Sequence, residues 1–221
     1  MKRIVIMGGG KLAYYLIESL RDQDVDIALI EQNAAHAERI VNRFGAVRVF
    51  IGDGTMIKVL ADAGCRNADF YVAVTGKDED NLVGCQIAKK HFNVKTTVAR
   101  VNNPRNIEMF KRLSVDLVYN STRMLADLIE HNIQYEGMQV VFNVRDTPQY
   151  IVEVRMSAKS KILGKALQQI KFPGSTRIVT ITRKDKTSVI PTGESRLEAG
   201  DVLLLVTEKK DYDDIYQLMV K

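Results

Sequence analysis

Short apolar runs rich in valine and isoleucine recur through the first 120 residues, separated by longer stretches with helical periodicity. The runs at residues 3–7, 26–31, 48–51, 70–75, 96–101 and 116–119 predict strands. The stretches at 11–21, 34–44 and 80–91 predict helices. In the first of these, Leu12, Leu16 and Leu20 fall four apart on one face, joined by Tyr15. Strands alternating with helices imply a parallel sheet with crossover helices on both faces. A longer helix over 122–135 has a wide apolar face of Met124, Leu125, Leu128, Ile129 and Ile133. That width suits either core packing or a helix that crosses onto a partner subunit. After Glu136-Gly137 the pattern changes: residues 139–144 and 150–156 alternate as antiparallel strands do. A helix over 161–170, strands at 177–182, 188–190 and 202–207, and a final helix over 211–220 follow. The fold class read from this is an α/β domain, residues 1–137, with a smaller α+β domain, residues 138–221. No linker rich in Pro, Gly or Ser separates them, so the two are expected to be tightly joined.

Composition narrows the class. No run of about 18 apolar residues exists to span a bilayer, and residues 1–7 run straight into Gly8 without the make-up of a signal peptide. A cytoplasmic protein is expected. Cys65 and Cys85 stand apart from each other and from any metal-ligand spacing, which suits reduced, partly buried thiols. The net charge of +5 is spread along the chain. It favours anionic ligands or a membrane-surface partner. With no tryptophan and no basic stripe interleaved with aromatics, the chain does not read as a nucleic-acid binder.

The first run leads into Gly8-Gly9-Gly10-Lys11-Leu12-Ala13, which fits the G-x-G-x-x-G/A pattern between a strand and an amphipathic helix. In that pattern Gly8 permits a sharp turn, Gly10 clears space for a pyrophosphate and Ala13 allows close helix–strand packing. The N–H groups of the helix start, from Gly9 to Leu12, then face the anion. Lys11 opposes the helix dipole unless its ammonium meets a phosphate. Glu31 ends the second run, 21 residues after Gly10, where an acidic residue accepts the ribose hydroxyls of an adenosine and repels a 2′-phosphate. Asp53 follows the third run, placed to cap the next helix or to line an adenine pocket. Thr75-Gly76 and Arg100 close the fourth and fifth runs at the same carboxyl edge, where open α/β sheets bind ligands. Arg100, a charge in an apolar run, calls for a phosphate or a carboxylate. The first domain therefore reads as Rossmann-like.

Gly52-Asp53-Gly54-Thr55, the segment from Ala73 to Asn81, and Ala99-Arg100-Val101-Asn102-Asn103-Pro104 resemble an RCK (regulator of K⁺ conductance) N-domain. Ser160-Lys161-Ile162-Leu163-Gly164-Lys165, Pro191 and Glu198-Ala199-Gly200-Asp201 are similar to the RCK C-domain. The resemblance covers nearly the whole chain and is strongest to a Trk-A-type peripheral subunit in a short, single-repeat form. It departs in lacking a proline at Tyr119-Asn120-Ser121-Thr122, where the family often has one. The resemblance implies a regulatory subunit of a Trk or Ktr potassium uptake system, docked on a membrane-embedded translocating subunit. It implies NAD(H) or ATP/ADP as ligand, with Gly8 to Leu12, Glu31, Thr75, Gly76 and Arg100 in contact. It also implies homodimers assembling into a ring, and cyclic di-AMP as a candidate second effector of the C-domain. Two alternatives are a nicotinamide-dependent oxidoreductase and a ligand-sensing adaptor for another membrane protein. The first needs an acid or base beside the nicotinamide, and the only histidines, His36, His91 and His131, lie in helical patterns away from the motifs.

Overall fold

The computed structural model describes residues 1–144 and 147–221, in two compact units, Met1–Met124 and Leu125–Lys221. The first unit runs β1 (Lys2–Met7), α1 (Lys11–Leu20), β2 (Val25–Glu31), α2 (Ala34–Arg43), β3 (Arg48–Ile51), α3 (Ile57–Asp62), β4 (Phe70–Ala73), α4 (Asp78–Lys90), β5 (Thr96–Arg100), α5 (Ile107–Arg112) and β6 (Leu117–Tyr119). The helix α6 (Ser121–Gln134) begins in this unit and continues into the second. The six strands form one parallel sheet in the order β3-β2-β1-β4-β5-β6. The order reverses direction between β1 and β4, which opens a crevice at their carboxyl ends.

Both faces of this sheet are covered, and the period of two along β1 shows how. Ile4 and Ile6 pack with Ala13, Ile17, Leu29 and Ile40 on one side. Val5 and Met7 pack with Ile30, Tyr71, Cys85 and Phe110 on the other. This double burial is why the strands read as continuous apolar runs. It also corrects the face assigned to α1. The sheet buries Ala13 and Ile17, while Leu12 (44% exposed) and Tyr15 (65%) point outward. Leu16 and Leu20 only flank the core. The short helices α3 and α5, one and a half turns each, carry too little periodicity to register in the sequence.

The second unit adds β7 (Met138–Asn143), β8 (Gln149–Arg155), β9 (Arg177–Thr182), β10 (Ser188–Val189), β11 (Val202–Glu208) and α7 (Tyr212–Met219). Its antiparallel sheet has the order β10-β9-β11-β8-β7. Leu203 and Leu205 of β11 face a core completed by Val152, Val154, Ile215 and Met219. The helix expected over 161–170 is absent; only a 3₁₀ turn, Leu167–Gln169, forms there. The N–H groups a helix would need are already engaged: Gly164, Leu167 and Gln168 donate to the carbonyls of Leu197, Ser195 and Gly193. Gly164 also takes a left-handed conformation, φ 72°. His131, in α6, is buried with its ring 5.0 Å from that of Tyr135 and 5.3 Å from that of Tyr212. Neither ring nitrogen has a hydrogen-bond partner among the described residues, and burial holds the imidazole below its usual pKa.

Candidate functional site

The residues singled out by the glycine pattern gather at the carboxyl edge of the parallel sheet. Gly8 turns the chain with φ 102°, and its amide donates to Ile30 O at 2.8 Å. A Cβ built there would lie 3.0 Å from the Thr75 backbone nitrogen, so the ends of β1 and β4 can approach only if residue 8 is glycine. Gly10 differs. Its backbone is ordinary, φ −70°, and a Cβ there would meet nothing within 4 Å. Gly76 likewise faces open space. Beyond Gly10, α1 starts with no side chain capping its free N–H groups. Lys11 and Leu12 are exposed at that start.

Glu31, at the end of β2, reaches across to the glycine turn. Its carboxylate accepts from the Gly9 amide, and from the Asn33 amide at 2.7 Å, and its side chain is only 11% exposed. The acceptor is thus held in place by backbone donors. His36 Nδ1 lies 3.9 Å from Glu31 Oε2, so this histidine stands beside a motif residue after all. His91 ends α4, and His131 belongs to the core of the second unit.

Asp53 does not cap the following helix. Its Oδ1 accepts from Thr55 N (2.8 Å) and Thr55 Oγ1 (2.7 Å), while Met56 occupies the cap position of α3. Those two bonds, with smaller contributions from Gln32 and Lys77, hold its carboxyl below the usual range. Gln32 directly follows β2 and Lys77 precedes α4 just beyond β4, so Asp53 faces the same edge. Arg100 is half-buried at the end of β5, and its Nε is buried without a hydrogen-bond partner among the described residues. An orphaned guanidinium nitrogen at the carboxyl end of a strand is the kind of donor a phosphate satisfies.

The sequence carried Asp78, Asn81 and Asn102 only as part of the RCK-like segments, with no role given to the polar side chains that hold this edge together. Asn81 is fully buried. Its Oδ1 accepts from Thr75 N (2.9 Å) and Thr75 Oγ1 (2.8 Å), and its Nδ2 donates to Arg100 O (2.8 Å). A signal was present: Asn81, Gly84, Cys85 and Ala88 make the buried stripe of α4, and Asn81 is its one strongly polar member. Asp78 accepts from the backbone of Asn102 (2.6 Å) and Asn103 (3.1 Å) and from Asn106 Nδ2 (2.7 Å). Burial works to raise its pKa, but these donors outweigh it and hold the carboxylate low. Below the edge, Cys65 and Cys85 are free and fully buried, and burial pushes each thiol up to about 12.

Residues 4–121 match the TrkA-N domain family and residues 151–220 the TrkA-C domain family. The chain belongs to the TrkA family. It is 29% identical over 219 residues to the Trk system potassium uptake protein TrkA of Mycobacterium tuberculosis, covering 99% of this chain and 98% of that one. It is 26% identical over 204 residues to a TrkA homolog of Methanosarcina mazei, where it covers 92% of this chain but 45% of the relative. The chain thus spans almost all of one relative and about half of the other. The fold is shared with the GsuK channel solved bound to NAD, at a TM-score of 0.68 and 19% identity over 100% of this chain and 40% of that one. GsuK has also been solved bound to ADP. TrkA members therefore occur both at this length and in longer chains.

Proposed function

We propose that this TrkA-family chain is a nucleotide-binding regulatory subunit of a Trk- or Ktr-type potassium uptake system, acting by binding rather than by catalysis. The observation that carries the reading is the strand-edge cradle: open space over Gly10 and Gly76, an uncapped α1 start, the prearranged Glu31 carboxylate and the orphaned Arg100 Nε. An adenine nucleotide matches that donor set. Glu31 would accept the ribose hydroxyls, and the α1 amides from Gly10 to Leu12, with Lys11 and Arg100, would hold the phosphates. Gly8 and Thr75 would shape the floor, with Gly9 orienting Glu31 and Asp53 lining the far wall. NAD(H) and ATP/ADP share this chemistry, and the NAD- and ADP-bound forms of GsuK support it. In this reading residues 1–137 sense the nucleotide and residues 138–221 are the regulatory module, with cyclic di-AMP as a second ligand to test there. No helix among the described residues is long and apolar enough to cross a membrane. By its kinship with Trk system potassium uptake proteins, the chain would act from the cytoplasmic face on a membrane-embedded translocating subunit. The exposed face of α6, including Leu125, Leu128, Ile129 and Ile133, would join two copies, and dimers would assemble into a ring.

Calorimetry of the purified chain with NAD, NADH, ATP, ADP and cyclic di-AMP tests the reading. Adenine nucleotides should bind, and Glu31→Ala should weaken them by about tenfold or more, the equivalent of ~1.4 kcal/mol. NADP should bind more weakly than NAD, because Glu31 repels a 2′-phosphate. If no adenine nucleotide binds, the cradle is not a nucleotide site and the reading fails.

A further inference from the structure

Three asparagines outside the proposed contact residues link the cradle to the start of α6. Asn81 Oδ1 holds Thr75 through its amide and its hydroxyl, and Asn81 Nδ2 holds the Arg100 carbonyl. Two residues beyond Arg100, Asn102 donates from its backbone and from its side chain (2.9 Å) to Asp78 Oδ1 in the first turn of α4. The Asn102 carbonyl accepts from Asn120 Nδ2 at 3.1 Å. Asn120 is 4% exposed, and its Oδ1 accepts from Arg123 N at 2.6 Å. The Met124 amide donates to Asn120 O at 3.0 Å, so Asn120 is the N-cap of α6. The path from Thr75 and Arg100 to the first turn of α6 therefore runs through hydrogen bonds of buried or half-buried asparagines and the short backbone segment from Arg100 to Asn102.

Such a path transmits displacement poorly if it is slack and well if it is not. A buried amide cannot release a partner without leaving an unsatisfied donor or acceptor. A ligand that draws on Thr75 and Arg100 is therefore felt at Asn102 and Asn120 rather than absorbed between them. The element at the far end carries the exposed apolar face of Leu125, Leu128, Ile129 and Ile133. We propose that Asn81, Asn102 and Asn120 are positioning residues that couple occupancy of the cradle to the stability of the first turn of α6. The inference rests on the nucleotide-binding reading of the cradle.

The test is amide hydrogen exchange on the full chain with and without saturating NAD or ADP. In the wild type the Arg123 and Met124 amides should exchange at least about fivefold more slowly with ligand, the lower end of ordinary coupling between two sites. Asn120→Asp keeps an acceptor for the Arg123 amide but sets an oxygen against the Asn102 carbonyl. Asn120→Ser also caps the helix, yet its hydroxyl is too short to reach Asn102. Both variants should bind nucleotide by calorimetry and retain protection at Arg123 without ligand, while losing the ligand-induced slowing. A purely structural role for Asn120 would leave that slowing intact in both variants, and this result overturns the proposal. So does wild-type chain that binds nucleotide with no slowing at Arg123. If calorimetry shows no binding at all, the reading of the cradle falls first and takes this inference with it.

Discussion

Two glycines of one motif occupy unlike positions, and the difference is measurable. Gly8 is required by its left-handed φ of 102° and by the Thr75 backbone 3.0 Å from where a Cβ would sit. Gly10 has an ordinary backbone and faces open space, so what it supplies is room. Gly8→Ala should lower stability by about 1–3 kcal/mol, the usual cost of a strained backbone, seen as an earlier urea midpoint. Gly10→Ala should leave stability within about 1 kcal/mol of wild type or raise it slightly, while weakening nucleotide binding in calorimetry. Equal effects of the two on stability would contradict this division. The motif was legible from spacing, but which constraint each glycine answers was not. That depends on what stands across the turn, and Thr75 is 67 residues away.

Among the elements, α6 and the segment 161–170 show the limit of periodicity. The apolar face of α6 left core packing and subunit contact equally open, because a helix pattern is silent about what lies opposite. In the chain the face is uncovered: Met124 is 54% exposed, Ile129 51% and Ile133 80%. On the proposed reading, an exposed apolar face of this kind is where two copies would meet. Wild-type chain should sediment as a dimer at micromolar concentration, and Ile129→Glu should shift it to monomer with little change in melting temperature. Wild type that stays monomeric would remove α6 as a dimer contact. In 161–170 the helical spacing was present but lost to long-range competition. Carbonyls at 193–197 claim the amides first, and Ile162 and Ala166 are buried by tertiary contacts.

At the scale of the molecule, the two units should respond to acid in different pH windows. In the first unit Asp78 and Asp116 are held below the ordinary aspartate range, with burial outweighed by hydrogen-bond donors and, for Asp116, by Lys89. Groups of depressed pKa contribute stability that is present above the unfolded value and lost as pH falls through the folded one. In the second unit His131 is depressed below 6.5 by burial, so its neutral form belongs to the native state. The rings of Tyr135 and Tyr212 pack against it; the Met138 backbone favours protonation, but burial, with Lys209, outweighs it. Its contribution is therefore lost as pH drops below about 6.5, well above the carboxylate window. Amide exchange in β8 and β11 should accelerate between about pH 6.5 and 5, whereas β1 and β4 should hold to below about pH 4. His131→Phe should abolish the first phase. Simultaneous loss in both units would show that His131 does not set the acid limit of the second.

The alternating runs, the glycine pattern and the acidic residue 21 positions beyond Gly10 were enough to specify a parallel α/β unit followed by an antiparallel one. They also placed the candidate residues at one edge, because strand ends and turn residues are local properties written by period and backbone preference. Tertiary structure alone decided which face of α1 is buried, that 161–170 is not a helix, and that Asp53 builds a turn instead of capping α3. It alone revealed that Asn81, Asn102 and Asn120 bind that edge together. Those outcomes turn on partners distant in sequence, and a polar side chain's role is settled by the donor or acceptor that burial brings within reach.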